Sequence, residues 1–215
     1  MSAPCNVVVL ISGSGSNLQA LIDSTGPDNP ARICAVISNR ADAYGLTRAA
    51  KAGIPTRVLD HKQFADRESY DRVLMQSIDG FNAQLVVLAG FMRILSAGFV
   101  GHYQGRLVNI HPSLLPKLKG LHTHQRALEA GEVEHGCSVH FVTEELDGGP
   151  LVLQSIVAIN NNDTAESLAQ RVHTQEHLIY PLAVRWFAEG RLRLGTAGAE
   201  LDGQPLPACG QQIRH

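Results

Sequence analysis

The chain has 215 residues, 44% of them apolar and 18% charged, proportions of an ordinary globular protein long enough to bury its own core. A formal net charge of −2, with basic residues scattered along the sequence, argues against a nucleic-acid binder, whose Lys and Arg would be massed on one face. No stretch approaches the roughly 18 consecutive apolar residues of a membrane helix, and Cys5, Cys34, Cys137 and Cys209 lie too far apart for a Cys-x-x-Cys pair or a disulfide framework.

In chain order, Asn6 to Ile11 reads as a continuous apolar strand, too short for a signal sequence and with no basic residue before it. A Gly/Ser turn and a helix from about Asn17, with Leu18, Leu21 and Ile22 on one face, follow it. The alternation recurs with a strand at Ile33 to Ile37, a helix carrying Tyr44, Leu46 and Ala49 to Ala52, and a short strand at Thr56 to Leu59. A helix over Asp66 to Ile78 then leads to the strand Leu85 to Ala89. Strands apolar on both faces that alternate with amphipathic helices predict an α/β fold, a Rossmann-like, mostly parallel sheet covered by helices.

After Gly90 the pattern changes. Arg106 to Ile110 is another buried strand, but Ser138 to Val142 and Leu151 to Val157 flank Asp147-Gly148-Gly149-Pro150 too closely for a helical crossover and predict an antiparallel strand pair in the C-terminal half. Thr164 to Glu189 reads as one long helix or two, with Asp163 or Thr164 as N-cap and Gly190 as stop. The tail from Arg191, with Leu192 and Leu194 in alternation, reads as an edge strand pair or a loose end. A single domain is expected: a nucleotide-phosphate lobe over 1–105, a catalytic lobe over 106–190 and a tail over 191–215.

Ser12-Gly13-Ser14-Gly15-Ser16-Asn17 stands where the first strand meets the first helix. A glycine-rich turn there lets backbone N–H groups and the helix N-terminus face an anion, although a plain turn with a serine cap explains the same residues. The dinucleotide fingerprint fails, because Leu18 occupies the place of its third glycine and Ser38 and Asn39 stand where an acidic residue would bind ribose. A phosphomonoester fits better.

Asn109 and His111 lie two apart in an extended strand and so point the same way, at the carboxyl end of a sheet strand where open α/β folds bind ligands. Asp147, in the turn Leu146 to Pro150, is explained by turn chemistry and equally by a role as carboxylate partner of His111.

Gly-Phe-Met-Arg-Ile-Leu-Ser at 90–96, Asn-Ile-His-Pro-Ser-Leu-Leu-Pro at 109–116, Gly120 with Leu121-His122-Thr123-His124, and Glu-Leu-Asp-Gly-Gly-Pro at 145–150 resemble the motifs of the phosphoribosylglycinamide formyltransferase family, over about 6–190. The resemblance implies transfer of the formyl group of 10-formyltetrahydrofolate, a co-substrate, to the amine of glycinamide ribonucleotide, without a metal. It carries the catalytic roles onto Asn109, His111 and Asp147. Asn109 and protonated His111 would donate to the oxyanion of a tetrahedral intermediate, each worth roughly 3 kcal/mol, and His111 or ordered water would relay the proton. Gly15, Ser16 and Asn17 would hold the phosphate and Glu176 the ribose hydroxyls. Folate would lie against Phe91, Met92, Arg93, Ile94 and Leu95, with Leu107 and Val142 lining its pteridine slot and the backbone from Val142 to Asp147 reading the ring edge. Arg67 and Arg93 would meet its carboxylates. For Ile94 and Leu95 simple core packing explains the residues as well. Lys117-Leu118-Lys119 would belong to a mobile flap over 112–135, and the location would be the cytoplasm, as monomer or homodimer.

Other readings compete. His173-Thr174-Gln175-Glu176-His177 matches the inverted zinc-hydrolase pattern and puts both histidines on one helix face, yet lacks a third ligand. His122-Thr123-His124 is a weaker metal pattern. Formyl-folate hydrolases and methionyl-tRNA formyltransferases look similar around Asn109 to Pro116 and Asp147. An N-terminal regulatory domain is expected of the hydrolases and a C-terminal nucleic-acid domain of the tRNA enzymes, and neither is expected here. A nucleotide sensor without turnover would leave the Asn109, His111 and Asp147 trio unexplained.

Overall fold

The structure, a computed structural model, describes residues 3–215, and the expected strand–helix alternation runs from the first strand to the strand Glu134–Phe141. In chain order the elements are β1 Cys5–Ile11, α1 Ser16–Ser24, β2 Ala31–Ser38, α2 Tyr44–Lys51, β3 Thr56–Val58, α3 Arg67–Asp79, β4 Leu85–Leu88, α4 Ala97–His102 and β5 Leu107–His111. They continue with α5 Thr123–Glu129, β6 Glu134–Phe141, β7 Leu151–Ala158, α6 Ala165–Ala188, β8 Leu192–Gly195, β9 Gly198–Leu201, β10 Gln204–Pro205 and β11 Gln211–Arg214. One eight-stranded sheet has the order β11-β7-β6-β5-β4-β1-β2-β3. Its pairs are parallel except β5 with β6 and β6 with β7. The other three strands form a small antiparallel sheet, β10-β9-β8.

β1 and β4 lie inside the sheet, and their apolar runs Val7 to Ile11 and Leu85 to Leu88 follow from burial on both faces; Val8, Val9 and Leu10 are wholly inaccessible. One face carries α1 and α6 over a core that includes Val7, Val9, Leu18, Leu21, Val172 and Ile179. The other carries α3 and α4 over Val8, Leu10, Tyr70, Leu74, Ile78 and Phe99. Tyr70, Leu74 and Ile78 recur every four residues, so one stripe of α3 meets the sheet, and Asp66 starts the helix by accepting from the Ser69 backbone N–H in a capping box. α6 begins in the same way at Thr164 with Ser167. Its buried face is interrupted by one carboxylate, Glu176, one turn before Tyr180, whose hydroxyl reaches the carbonyls of Leu88 and Val108 at 2.9 and 3.1 Å.

Several boundaries differ from expectation. β5 runs one residue later, so His111 is itself a strand residue, paired with Ser138 of β6. The antiparallel pair is longer than its apolar stretches, because β6 stays in register with β7 back to Glu134. The short helices α4 and α5 were not expected; six and seven residues give too little periodicity to read. The tail makes a small sheet and also sends β11 to the edge of the main one. All four cysteines are free, and among the described residues no helix is long and apolar enough to cross a membrane.

Candidate active site

The carboxyl ends of β1, β4 and β5 open on one side of the sheet, and the phosphate loop forms first. Gly15 caps α1 with φ +70°, and a Cβ there would stand 2.5 Å from the Gly45 Cα of α2, so only glycine fits on both counts. The turn is braced by the Gly45 N–H donating to the Gly13 carbonyl at 3.0 Å and by Arg48 Nε donating to the Ser14 carbonyl at 2.9 Å. No side chain caps α1, which leaves its first backbone N–H groups to an outside acceptor. A cleft of about 470 Å³ lies over the loop, bounded also by Asn39, Arg40, His61, Gly90 and Met92. Buried Ser12 ties these walls together: its hydroxyl donates to Asn39 Oδ1 at 2.6 Å and accepts from the Met92 N–H at 2.8 Å.

Where α1 packs against α6, Asn17 Nδ2 donates to Glu176 Oε2 at 2.8 Å, and the Ser16 hydroxyl lies 2.7 Å from His173 Nε2. Burial pushes the Glu176 carboxyl up to about 7, against the opposing pull of the Asn17 bond. Burial lowers His173, so a neutral ring can accept the Ser16 proton. Asn17 Oδ1 and His177 Nε2 are buried without partners. Of His173, Glu176 and His177, read in the sequence as a zinc pattern, the first two thus bond to α1 residues, and among the described residues no three metal-ligating side chains converge.

The second centre lies at the end of β5. His111 Nδ1 is 3.5 Å from Asp147 Oδ2, with both side chains about 8% exposed. His111 Nε2 meets the Leu118 carbonyl at 3.0 Å, and Asp147 Oδ2 also accepts from the Gly120 N–H at 2.9 Å. Asp147, in the turn after β6, has φ +49°. Asn109 makes no hydrogen bond to either. Its Nδ2 donates to His140 Nε2 at 3.3 Å, and that nitrogen lies 4.0 Å from Asp147 Oδ1. His140 is almost wholly buried, which lowers its pKa, and its Nδ1–H is held by the Phe141 carbonyl at 2.8 Å. A neutral ring with hydrogen on Nδ1 leaves Nε2 as the acceptor that Asn109 needs.

The stretch from Phe91 to Leu95 divides. Phe91 and Leu95 pack into the core, whereas Met92 and Ile94 are 71% and 62% exposed, so a core role fits Leu95 but not Ile94. The Arg93 guanidinium lies 5.0 Å over the Tyr70 ring with its buried Nε unpartnered, and Arg67, first in α3, is exposed. Leu107 is buried, Val142 is partly so, and the Val142 N–H donates to the Leu107 carbonyl at 2.9 Å.

The model of the formyl transferase family matches residues 5–184. The chain belongs to the formyl transferase family. It is 58% identical over 206 residues to phosphoribosylglycinamide formyltransferase of Escherichia coli (strain K12), covering 95% of this chain and 97% of the relative. It is 50% identical to the trifunctional purine biosynthetic protein adenosine-3 of Bos taurus, over 89% of this chain and 19% of that longer protein. The solved phosphoribosylglycinamide formyltransferase of Coxiella burnetii superposes with a TM-score of 0.95 at 53% identity, over 98% of this chain and 99% of its own.

In this formyl transferase two histidines contact candidate site residues to which the sequence did not join them. His173 entered only as a metal ligand, and His140 was one residue of an expected strand. The signal for His140 was the antiparallel register, which sets it opposite Asn109; without the pairing, nothing in the sequence joins the two.

Proposed function

We propose that the chain transfers the formyl group of 10-formyltetrahydrofolate to the amine of glycinamide ribonucleotide, giving formylglycinamide ribonucleotide and tetrahydrofolate in purine biosynthesis. What supports the reading for the residues is the series of contacts from Asn109 through His140 and Asp147 to His111, in a chain that also carries a glycine-rich turn before α1 and is 58% identical to an enzyme of that name.

The acceptor's phosphate binds the free N–H groups of Gly15, Ser16 and Asn17, and its ribose hydroxyls meet Glu176. The amine attacks the formyl carbon, and the carbonyl electrons move to oxygen as a tetrahedral intermediate forms. Asn109 donates to that oxygen, and His111 joins it by turning over to the oxygen the Nε2–H that otherwise meets the Leu118 carbonyl at 3.0 Å, where the gain is largest because the charge exists only there. Collapse breaks the bond to the folate nitrogen, with one proton lost by the attacking amine and one gained by the leaving nitrogen. His111, with the Asp147 carboxylate 3.5 Å from its ring, or ordered water beside it relays that proton. Folate lies along the exposed Met92 and Ile94 with Phe91, Leu95, Leu107 and Val142 behind, and Arg67 and Arg93 take its carboxylates. The chain works as one formyltransferase domain, with 1–105 supplying the phosphate site, 106–190 the chemistry and 191–215 a tail, and its setting is the cytoplasm.

The test mixes the protein with glycinamide ribonucleotide and 10-formyltetrahydrofolate and follows the deformylated folate, with a control lacking the nucleotide. Release that needs the nucleotide is the expected result. Release without it means a hydrolase and overturns the reading.

A further inference from the structure

Gln154, in the middle of β7, is 2% exposed, yet every polar group on its side chain is engaged. Its Nε2 donates to the Leu115 carbonyl and to the Ser138 hydroxyl, both at 2.9 Å, and its Oε1 accepts from Gln212 Nε2 of β11 at 2.9 Å. The Ser138 hydroxyl in turn donates to the Ser113 carbonyl at 2.6 Å and accepts from the Leu115 N–H at 3.1 Å. Apart from Gln212, each partner of these two side chains is the other one or the 113–115 loop.

That loop is the segment leaving His111, and Ser138 stands opposite His111 in the β5–β6 register. The Ser113 hydroxyl then donates to the Lys117 carbonyl at 2.7 Å, and the chain returns to place the Leu118 carbonyl on His111 and the Gly120 N–H on Asp147. The contacts that orient both members of the pair therefore hang on a loop gripped from behind by the Ser138 hydroxyl and by the buried Gln154 amide that holds that hydroxyl. A side chain whose donors and acceptor are all held cannot rotate to relieve an error, so the loop has one position while the amide is anchored. Displacing a reacting group by about 1 Å can cost roughly 100-fold in rate.

We propose that Gln154 is a positioning residue for formyl transfer, and that Gln212 of the C-terminal strand anchors it, so that the tail holds the loop behind His111 and Asp147. The inference rests on the formyl-transfer reading above and gives the C-terminal strand a part in that reaction.

The experiment measures kcat and KM in the full chain for the wild type, Gln212→Ala, the nearly isosteric Gln154→Met, and the double variant. Gln212 is exposed, so its loss leaves the core intact. Gln212→Ala is expected to lower kcat about 5-fold and Gln154→Met about 100-fold, with KM for the nucleotide within about twofold in each, because only the transition state feels the misplaced pair. The double variant should match Gln154→Met alone, since Gln212 acts through Gln154. Wild-type kcat in both single variants, even with a lower Tm, overturns the proposal, as do losses that multiply in the double variant. Should Gln154→Met not fold, Gln212→Ala decides by its kcat and by the NMR signals of the His111 ring nitrogens; both unmoved overturns it. A wild type without formyl transfer sinks the parent reading instead.

Discussion

The side-chain amide of Asn109 donates to Nε2 of His140, while Nδ1 of the same ring donates to the Phe141 carbonyl. Flipping the carboxamide would set its oxygen against the Nε2 lone pair, so His140 decides which way Asn109 faces and where its second N–H points. That N–H is the one available to a developing oxyanion. Replacing His140 by Ala frees the rotation without removing the donor. We expect kcat to fall about 10-fold, less than the 100- to 1,000-fold typical of losing an oxyanion donor, with KM for either substrate nearly unchanged. Steady-state kinetics beside Asn109→Ala make the comparison, and a His140→Ala enzyme at full rate would show that Asn109 needs no such orientation.

Removal of the donors themselves is the sharper test. Asn109→Ala and His111→Ala should each lose about two to three orders of magnitude in kcat. The phosphate loop and Glu176 are untouched, so calorimetry should find nucleotide binding within a few-fold of wild type. Full turnover in both variants would remove the catalytic assignment, and lost binding would move these residues into substrate recognition.

The central sheet was legible because strands buried on both faces must be apolar throughout, as Val7 to Ile11 and Leu85 to Leu88 are. The loop at Ser12 to Asn17 was legible because only glycine suits the Gly15 backbone and its approach to Gly45. What stayed hidden depends on pairing and not on composition. β11 reads Gln-Gln-Ile-Arg, a polar stretch whose place beside β7 is set by backbone bonds that hydropathy does not record. His140 reaches Asn109 through register alone. The pairing of Asn109 with His111 by spacing, and of His111 with the Asp147 carboxylate, could be read in the sequence, and the second is met at 3.5 Å; the contacts of Asn109 came only with the fold.

Gly15→Ala tests the phosphate loop. The new methyl group meets the Gly45 Cα and the residue must hold a left-handed backbone, which costs about 1–2 kcal/mol before any clash. A lower Tm is expected together with a raised KM for the nucleotide, since the loop and the α1 N–H groups move as a unit, while kcat at saturation stays close to wild type. A variant with lower stability and unchanged KM would mean that the phosphate binds elsewhere.

Glu176 links substrate binding to pH. Its carboxyl, pushed by burial to about 7 in the folded chain against an ordinary 4.5, is largely protonated at pH 6 without ligand. Ribose hydroxyls donate best to the ionised form, so binding pulls the proton off, and KM for the nucleotide should rise as pH falls below about 7. Calorimetry at pH 6.5 in buffers of different ionisation heat should read proton release, and Glu176→Gln should abolish both the release and the slope. Stability carries the same signature with a definite sign. Below pH 4.5 the group is protonated in both folded and unfolded chains and imposes no penalty. As pH rises from 4.5 through 7, the unfolded chain gives up its proton first and the folded state loses ground, by about 3 kcal/mol once both are ionised. The Tm advantage of Glu176→Gln over wild type should therefore grow between pH 5 and pH 8. A difference that stays flat over that range would mean that Glu176 is ionised in the folded chain throughout, and the proton release should then vanish with it.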